Sequence, residues 1–127
     1  MKAKLSMSFV VALLGVSAPA GAQQAWPAKP IRVIVPYGPG ASTDNVTRIY
    51  GQKVTEAWGQ PVIIDNKPGG NTVIGSEAMV KSAPDGYTIL LVVNTHVINP
   101  LLMSKLPYDP VKDFAPVATV GAQEYIL

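Results

Sequence analysis

Residues 31–45 read I-R-V-I-V-P-Y-G-P-G-A-S-T-D-N, and the fold turns on this stretch. Ile31 to Val35 is a β-branched, apolar run broken only by Arg32, with the length and composition of a buried strand. Pro36, Gly38, Pro39 and Gly40 end it, because proline has no amide to give a ladder and glycine favours turns. Ser42, Thr43, Asp44 and Asn45 come next, all of them helix-capping residue types, and a 3.6-residue apolar period opens behind them. At least one of them is expected to cap the helix. A helix start presents unpaired N–H groups and a partial positive charge. A strand, a Gly-Pro loop and a helix start together make a place to hold an anion, and the loop is read as gripping a carboxylate.

Working outward, the first helix is expected from about Thr43 to Trp58, with Val46, Ile49, Tyr50, Val54, Ala57 and Trp58 on its inward face. Gly59 and Pro61 stop it, and Val62 to Ile64 reads as a second buried strand. Asp65 to Asn71 is another Gly-Pro loop. It leads into a helix over Thr72 to Ala83 that turns Ile74, Ala78 and Met79 inward, and Pro84 with Asp85-Gly86 reverses the chain. Tyr87 to Val93 is a third strand, Asn94 to Asn99 a third loop, and Leu101 to Met103 a helical turn opened by Pro100. Leu106 to Pro116 is a proline-rich loop anchored by Phe114, and Val117 to Val120 is a candidate fourth strand. Before all of this, Trp26 is expected to pack on the sheet edge.

Strand, helix, strand, helix, strand predicts an α/β fold: a mostly parallel sheet, right-handed crossovers and helices on both faces. Ligands of such sheets sit beyond the carboxyl ends of the strands. That rule selects the loops Pro36 to Ser42, Asp65 to Asn71 and Asn94 to Asn99.

The first 22 residues read as a signal peptide. Lys2 and Lys4 precede an apolar segment, Met7 to Val16, and Ala20-Gly21-Ala22 fits the small-x-small cleavage rule. The segment is too short to span a bilayer, so no membrane insertion is expected after cleavage. With Lys2 and Lys4 set aside, the ten basic residues fall to eight and balance the eight acidic ones. Neither a basic stripe nor aromatic residues interleaved with Lys or Arg are present, so nucleic-acid binding has no support. Without cysteine there are no disulfides and no thiolate chemistry, and a zinc site with His96 as the only histidine would need carboxylates for its other ligands. Glu124 to Leu127 reads as the start of a strand or hinge segment, which predicts a truncated chain.

Two enzyme readings compete with binding. Gly38 to Thr43 falls one glycine short of G-x-G-x-x-G, and Asp65 stands where a ribose-binding acid would be expected. Thr43 in place of the third glycine, Pro39 in the turn and export from the cytoplasm weigh against a nucleotide-cofactor enzyme. Ser42, His96 and Asp44 are the residue types of a hydrolytic triad, but there is no G-x-S-x-G elbow. Asp44 would repel an anion if it faced one, so it is expected to cap the helix or to accept from a ligand amine, hydroxyl or water. Binding without turnover and without a cofactor is the economical reading.

Several segments together carry a family resemblance: WPAKPIRVIVPYGPGASTD, WGQPVIIDNKPGGN, APDGYTILL, THVINP and LPYDPVKDFAPV. In that order and spacing, Trp26 to Leu127 resembles the Bug-type substrate-binding receptors of tripartite tricarboxylate transporters. The resemblance implies a lobe of the periplasmic-binding-protein-like, type II venus-flytrap class. It implies a periplasmic receptor that captures a small organic acid and passes it to membrane transporter subunits. Residues 23–127 would then be the N-terminal part of domain 1. The family's ligand-lining positions match Tyr37, Gly38, Gly40, Ala41, Ser42, Thr43 and Asp44 in the first loop, and Asn94, Thr95, His96 and Val97 in the third. Two departures stand out. Ala41 occupies a position usually glycine in the family, and the second loop reads PGGNTVIG where a further glycine and an asparagine are usual. The other reading from a different class is a truncated, non-binding remnant or interaction module.

Overall fold

The computed structural model describes residues 25–122. The leader expected over 1–22 and the strand expected from Glu124 lie outside the described residues. Strand β1 (Ile31–Val35) forms where the β-branched run predicts it. It is the centre of a three-stranded parallel sheet in the order β2-β1-β3, with β2 at Val62–Asn66 and β3 at Thr88–Leu90. Ile31, Ile34 and Val35 are at most 1% exposed, so the central strand supplies most of the described core.

The first crossover, helix α1 (Ser42–Trp58), carries the chain from β1 to β2 on one side. The second, helix α2 (Val73–Val80), carries it back past β1 to β3. Two right-handed crossovers running in opposite directions must cover opposite faces, so the sheet has a helix on each. In register, Ile31 and Val33 of β1 stand beside Val62 and Ile64 of β2 on the α1 face. A methyl on Gly51 of α1 would lie 3.1 Å from Val62 Cγ1. Such close approach explains a correction to the sequence reading. The stripe of α1 that meets the sheet is Asp44, Thr47, Gly51 and Thr55, with the Thr55 hydroxyl accepting from the Val62 amide at 3.2 Å. Ile49 and Tyr50, expected inside, are 63% and 48% exposed. Small and polar residues won the contact face because they let the helix lie against the strand.

On the other face Gly75 of α2 is packed so tightly that an added methyl would sit 2.6 Å from Pro36 Cβ. Gly75 and Ser76 are the buried residues of this helix, and Ile74, expected inward, is exposed.

Two further expectations are corrected. Helix α3 (Thr95–Leu102) occupies most of what reads as a third loop, with Pro100 inside it. Pro100 falls in the second turn, behind a first turn closed by bonds from the His96, Val97 and Ile98 amides to the Val93 and Asn94 carbonyls. Residues 117–120 do not form a strand; they run as irregular chain past α1, where Tyr50 Oη donates to the Val120 carbonyl at 2.8 Å. At the opposite end of the sheet Trp26 meets Trp58 edge-on, with ring centroids 5.1 Å apart, and Tyr87 at 6.0 Å. No helix among the described residues is long and apolar enough to cross a membrane.

Candidate ligand-binding site

The chain leaves the carboxyl end of β1 through Pro36 and Tyr37, and the Ala41 amide closes a turn onto the Gly38 carbonyl at 3.2 Å. Gly40 takes φ +84°, a backbone conformation that favours glycine. Gly38 has no such constraint, and a methyl placed on it would meet nothing within 4 Å. Neither conformation nor crowding within the chain demands glycine there.

Asp44 fastens this loop from behind. It is 1% exposed, and its Oδ2 accepts from the Gly40 amide at 2.9 Å and from Arg48 Nε at 2.9 Å. Its Oδ1 accepts from Arg48 Nη2 at 3.1 Å and from Asn66 Nδ2 at 3.0 Å. Asn66 also donates to the Tyr37 carbonyl at 3.1 Å, so the end of β2 is stitched to the start of the loop. The Arg48 guanidinium, then the Gly40 amide and Asn66, hold the Asp44 carboxyl well below the usual carboxylate range. A carboxylate this fully engaged stays charged and has little capacity left for a ligand.

With Asp44 turned inward, no side chain caps α1. Ala41 stands at the cap position, and neither Ser42, Thr43 nor Asp44 closes the end, contrary to the expectation that one of them would. The amides of the first helical turn have no intrahelical acceptors by geometry, and the Ser42 and Thr43 hydroxyls stand beside them. This end of the helix can donate several hydrogen bonds to one anion.

Ser42 and Thr43 form one side of a cleft of about 290 Å³. Val46 continues that wall; Leu91, Val92, Val93 and Asn94 form the opposite one, and Val120, Gly121 and Ala122 close the margin. Among the described residues its lining has no charged side chain. A second hollow of about 330 Å³ runs along α1 beside β2, between Arg48 and Glu56. It is an open groove at the sheet edge and contains no residue of the three loops.

The third predicted region behaves differently. Thr95 Oγ1 and Tyr37 Oη share a hydrogen bond of 2.8 Å, tying α3 to the first loop. His96 is 8% exposed; its Nε2 donates to the Pro110 carbonyl at 3.0 Å. Its ring stacks with Tyr108 and meets Phe114 edge-on at 4.7 Å, which anchors the proline-rich loop. Asn99 is fully buried and donates to the Asn71 carbonyl at 2.7 Å, holding the second loop where Asn71 and Thr72 both take positive φ. Val97 points away and is 67% exposed.

Of the predicted positions, Ser42, Thr43 and Asn94 therefore come together around one cleft. Tyr37, Gly38, Gly40, Ala41, Asp44, Thr95, His96 and Val97 are not among its lining residues; Tyr37 and Thr95 bond to each other, His96 bonds to Pro110, and Asp44 fastens Gly40. Val46, Leu91 to Val93 and Val120 to Ala122 line it without having been singled out from sequence, and Arg48, Asn66 and Asn99 do the fastening. Arg48, four residues after Asp44, was the readable one, since that spacing brings opposite charges together on a helix. Asp65, at the position a ribose-binding acid would take in the disfavoured nucleotide reading, pairs with Arg32 and Lys67 on the sheet face away from α1. The His96 ring is committed to its aromatic cluster, and no group of metal-ligating side chains occurs among the described residues.

The model of the tripartite tricarboxylate transporter family receptor matches residues 46–127. A UPF0065 protein of Bordetella bronchiseptica is 44% identical over 109 residues, covering 85% of this chain and 32% of its own length. Among solved structures, MatC of Rhodopseudomonas palustris with bound malate superposes with a TM-score of 0.70 at 35% identity, over 74% of this chain and 32% of that one. A second R. palustris protein, solved with adipate, gives 0.64 at 31% identity, over 67% and 29%. The chain thus spans about a third of the length of the relatives it matches.

Proposed function

This chain belongs to the tripartite tricarboxylate transporter receptor family, and from that premise we propose that it captures a small carboxylate for a membrane transporter and performs no chemistry on it. The observation that carries the reading is the uncapped start of α1, with the Ser42 and Thr43 hydroxyls, opening onto a cleft that Asn94 shares. On this reading the ligand carboxylate accepts from the first-turn amides and from Ser42 and Thr43. The Asn94 side chain donates from the opposite wall. Gly38 leaves room for the ligand to approach the backbone. Tyr37, Gly40, Ala41, Asp44, Thr95, His96 and Val97 then shape or brace the pocket or meet the ligand through backbone and bridging water.

Residues 1–22 act as the signal peptide, 23–127 are the first part of domain 1, and the receptor works in the periplasm. The malate and adipate bound by the two R. palustris proteins indicate the ligand class. A facing lobe would supply the far wall of the site, and closure of two lobes would bury the ligand.

The test is the thermal midpoint of the chain titrated with organic acids, sugars and amines at matched ionic strength. A binder raises the midpoint with concentration by mass action. Carboxylates raising it while sugars and amines leave it unchanged is the expected result; no shift with any carboxylate overturns the reading.

A further inference from the structure

We propose that Asn66 is a positioning residue for carboxylate capture: from the end of β2 it fixes the first loop, so that an anion meets the start of α1 already in place. The inference rests on the carboxylate reading above and gives a part to the one predicted loop that this reading leaves idle. Asp65 to Asn71 contributes no residue to the lining of the cleft. Its backbone is nevertheless costly. Gly69, Gly70, Asn71 and Thr72 take positive φ in succession, and Thr72, at +73°, is β-branched. Strain of this kind persists only where the surroundings hold it, and it collects at the working parts of a protein.

The bonds that hold it form a closed circuit through all three predicted regions. At the start of the second loop, Asn66 Nδ2 donates to the Tyr37 carbonyl at 3.1 Å and to Asp44 Oδ1 at 3.0 Å. These two acceptors stand at opposite ends of the first loop, and Asp44 Oδ2 in turn holds the Gly40 amide at 2.9 Å. At the other end of the second loop, Asn71 Nδ2 donates to Asn99 Oδ1, and Asn99 Nδ2 donates back to the Asn71 carbonyl at 2.7 Å. Thr95, in the same helix as Asn99, shares a bond of 2.8 Å with Tyr37 Oη and returns the circuit to the first loop. One side-chain amide thus sets the span from Tyr37 to Asp44. Without it the first loop and the first turn of α1 visit other arrangements, and affinity falls by the fraction of time spent in them. Asn66 is itself partly exposed at the end of an edge strand, so the core does not depend on it.

Calorimetric titration with adipate and with malate tests this on three variants beside the parent chain. Asn66→Ala removes both bonds. Asn66→Asp keeps the size and the oxygen that Arg48 Nη2 meets at 3.4 Å, but turns an acceptor toward Asp44 and the Tyr37 carbonyl. Thr55→Ala is the structural control: it takes the acceptor from the Val62 amide at the other end of β2, outside the circuit. Both Asn66 variants are expected to weaken both acids by roughly fivefold or more. Thr55→Ala is expected to lower the thermal midpoint and leave affinity unchanged. Hydrogen exchange gives the local signature: the Gly40 amide exchanges faster in the Asn66 variants, and the amides of β1 do not. Asn66 variants that bind like the parent chain, or a Gly40 amide that exchanges no faster in them, overturn the inference and leave carboxylate capture intact. Equal weakening by Thr55→Ala overturns it too, because affinity would then follow stability alone. A parent chain that binds neither acid overturns capture itself and the inference with it.

Discussion

The loop from β1 to α1 and the first turns of α3 lie at the same rim of the sheet, and both are rich in small polar residues, yet they use them in opposite ways. In the first loop one buried carboxylate does the fastening. Asp44 holds Gly40, Arg48 and Asn66, and this leaves the hydroxyls of Ser42 and Thr43 and the amides around them facing the cleft. In α3 the polar side chains are themselves the fasteners. Thr95 binds Tyr37, His96 binds Pro110, and Asn99 binds Asn71. The difference separates a presenting region from a framing one. Residues of the same chemical type are left to line a cleft only where something else has taken over the structural work.

The largest effect is expected at the frame. Asn99→Ala leaves the Asn71 carbonyl without its donor and opens a cavity at a fully buried position. It should cost roughly 2–4 kcal/mol of stability in urea denaturation. A cost below about 1 kcal/mol would mean that α3 does not hold the second loop, and the contrast would collapse.

Next in size is the charged clip. Asp44 has its folded pKa depressed by Arg48, Gly40 and Asn66. Its contribution is therefore complete above the unfolded carboxylate pKa of about 4, and is lost as pH falls from there through the depressed folded value. Asp44→Asn should lower stability at neutral pH and flatten the acid limb of a stability-against-pH curve. Asp65, Asp85 and Asp109, also lowered by their partners, keep part of that limb. An unchanged acid limb in the variant would remove Asp44 from its assigned place.

The smallest structural effect sharpens the contrast most. Gly38→Ala adds a methyl into open space at an ordinary backbone conformation, and stability should stay within about 0.5 kcal/mol. Carboxylate affinity should nevertheless fall, because the methyl occupies the ligand's approach. Equal affinity would show that the loop does not present its backbone to the ligand.

The architecture was legible because its signals are local. The run Ile31 to Val35, the break at Pro36 to Gly40 and the stop at Gly59 each act within a few residues, and β1, α1 and β2 fall where these predict. The inward face of α1 was misread because hydrophobicity was taken to mark the contact face. The chain instead brings Gly51 and Thr55 against β2, a preference set by the distance between helix and strand. Asn94 to Asn99 reads as a loop because Asn, Thr and Pro disfavour helix interiors, and its tertiary bonds to Tyr37, Asn71 and Pro110 override that local preference. The walls of the cleft were only half legible. Ser42 and Asn94 stand at strand ends, where the topology rule looks, but Val120 reaches the cleft through a bond from Tyr50, seventy positions away in sequence. No short-range pattern encodes that contact.

The division between presenting and framing regions is tested most directly by recording backbone and side-chain amide resonances of the chain as adipate is added. The account predicts progressive shifts at the Ser42, Thr43 and Asp44 amides and at the Asn94 side chain, with the Asn99 side chain and the His96 ring unmoved. Shifts centred on Asn99 and His96, with the first turn of α1 silent, would contradict it.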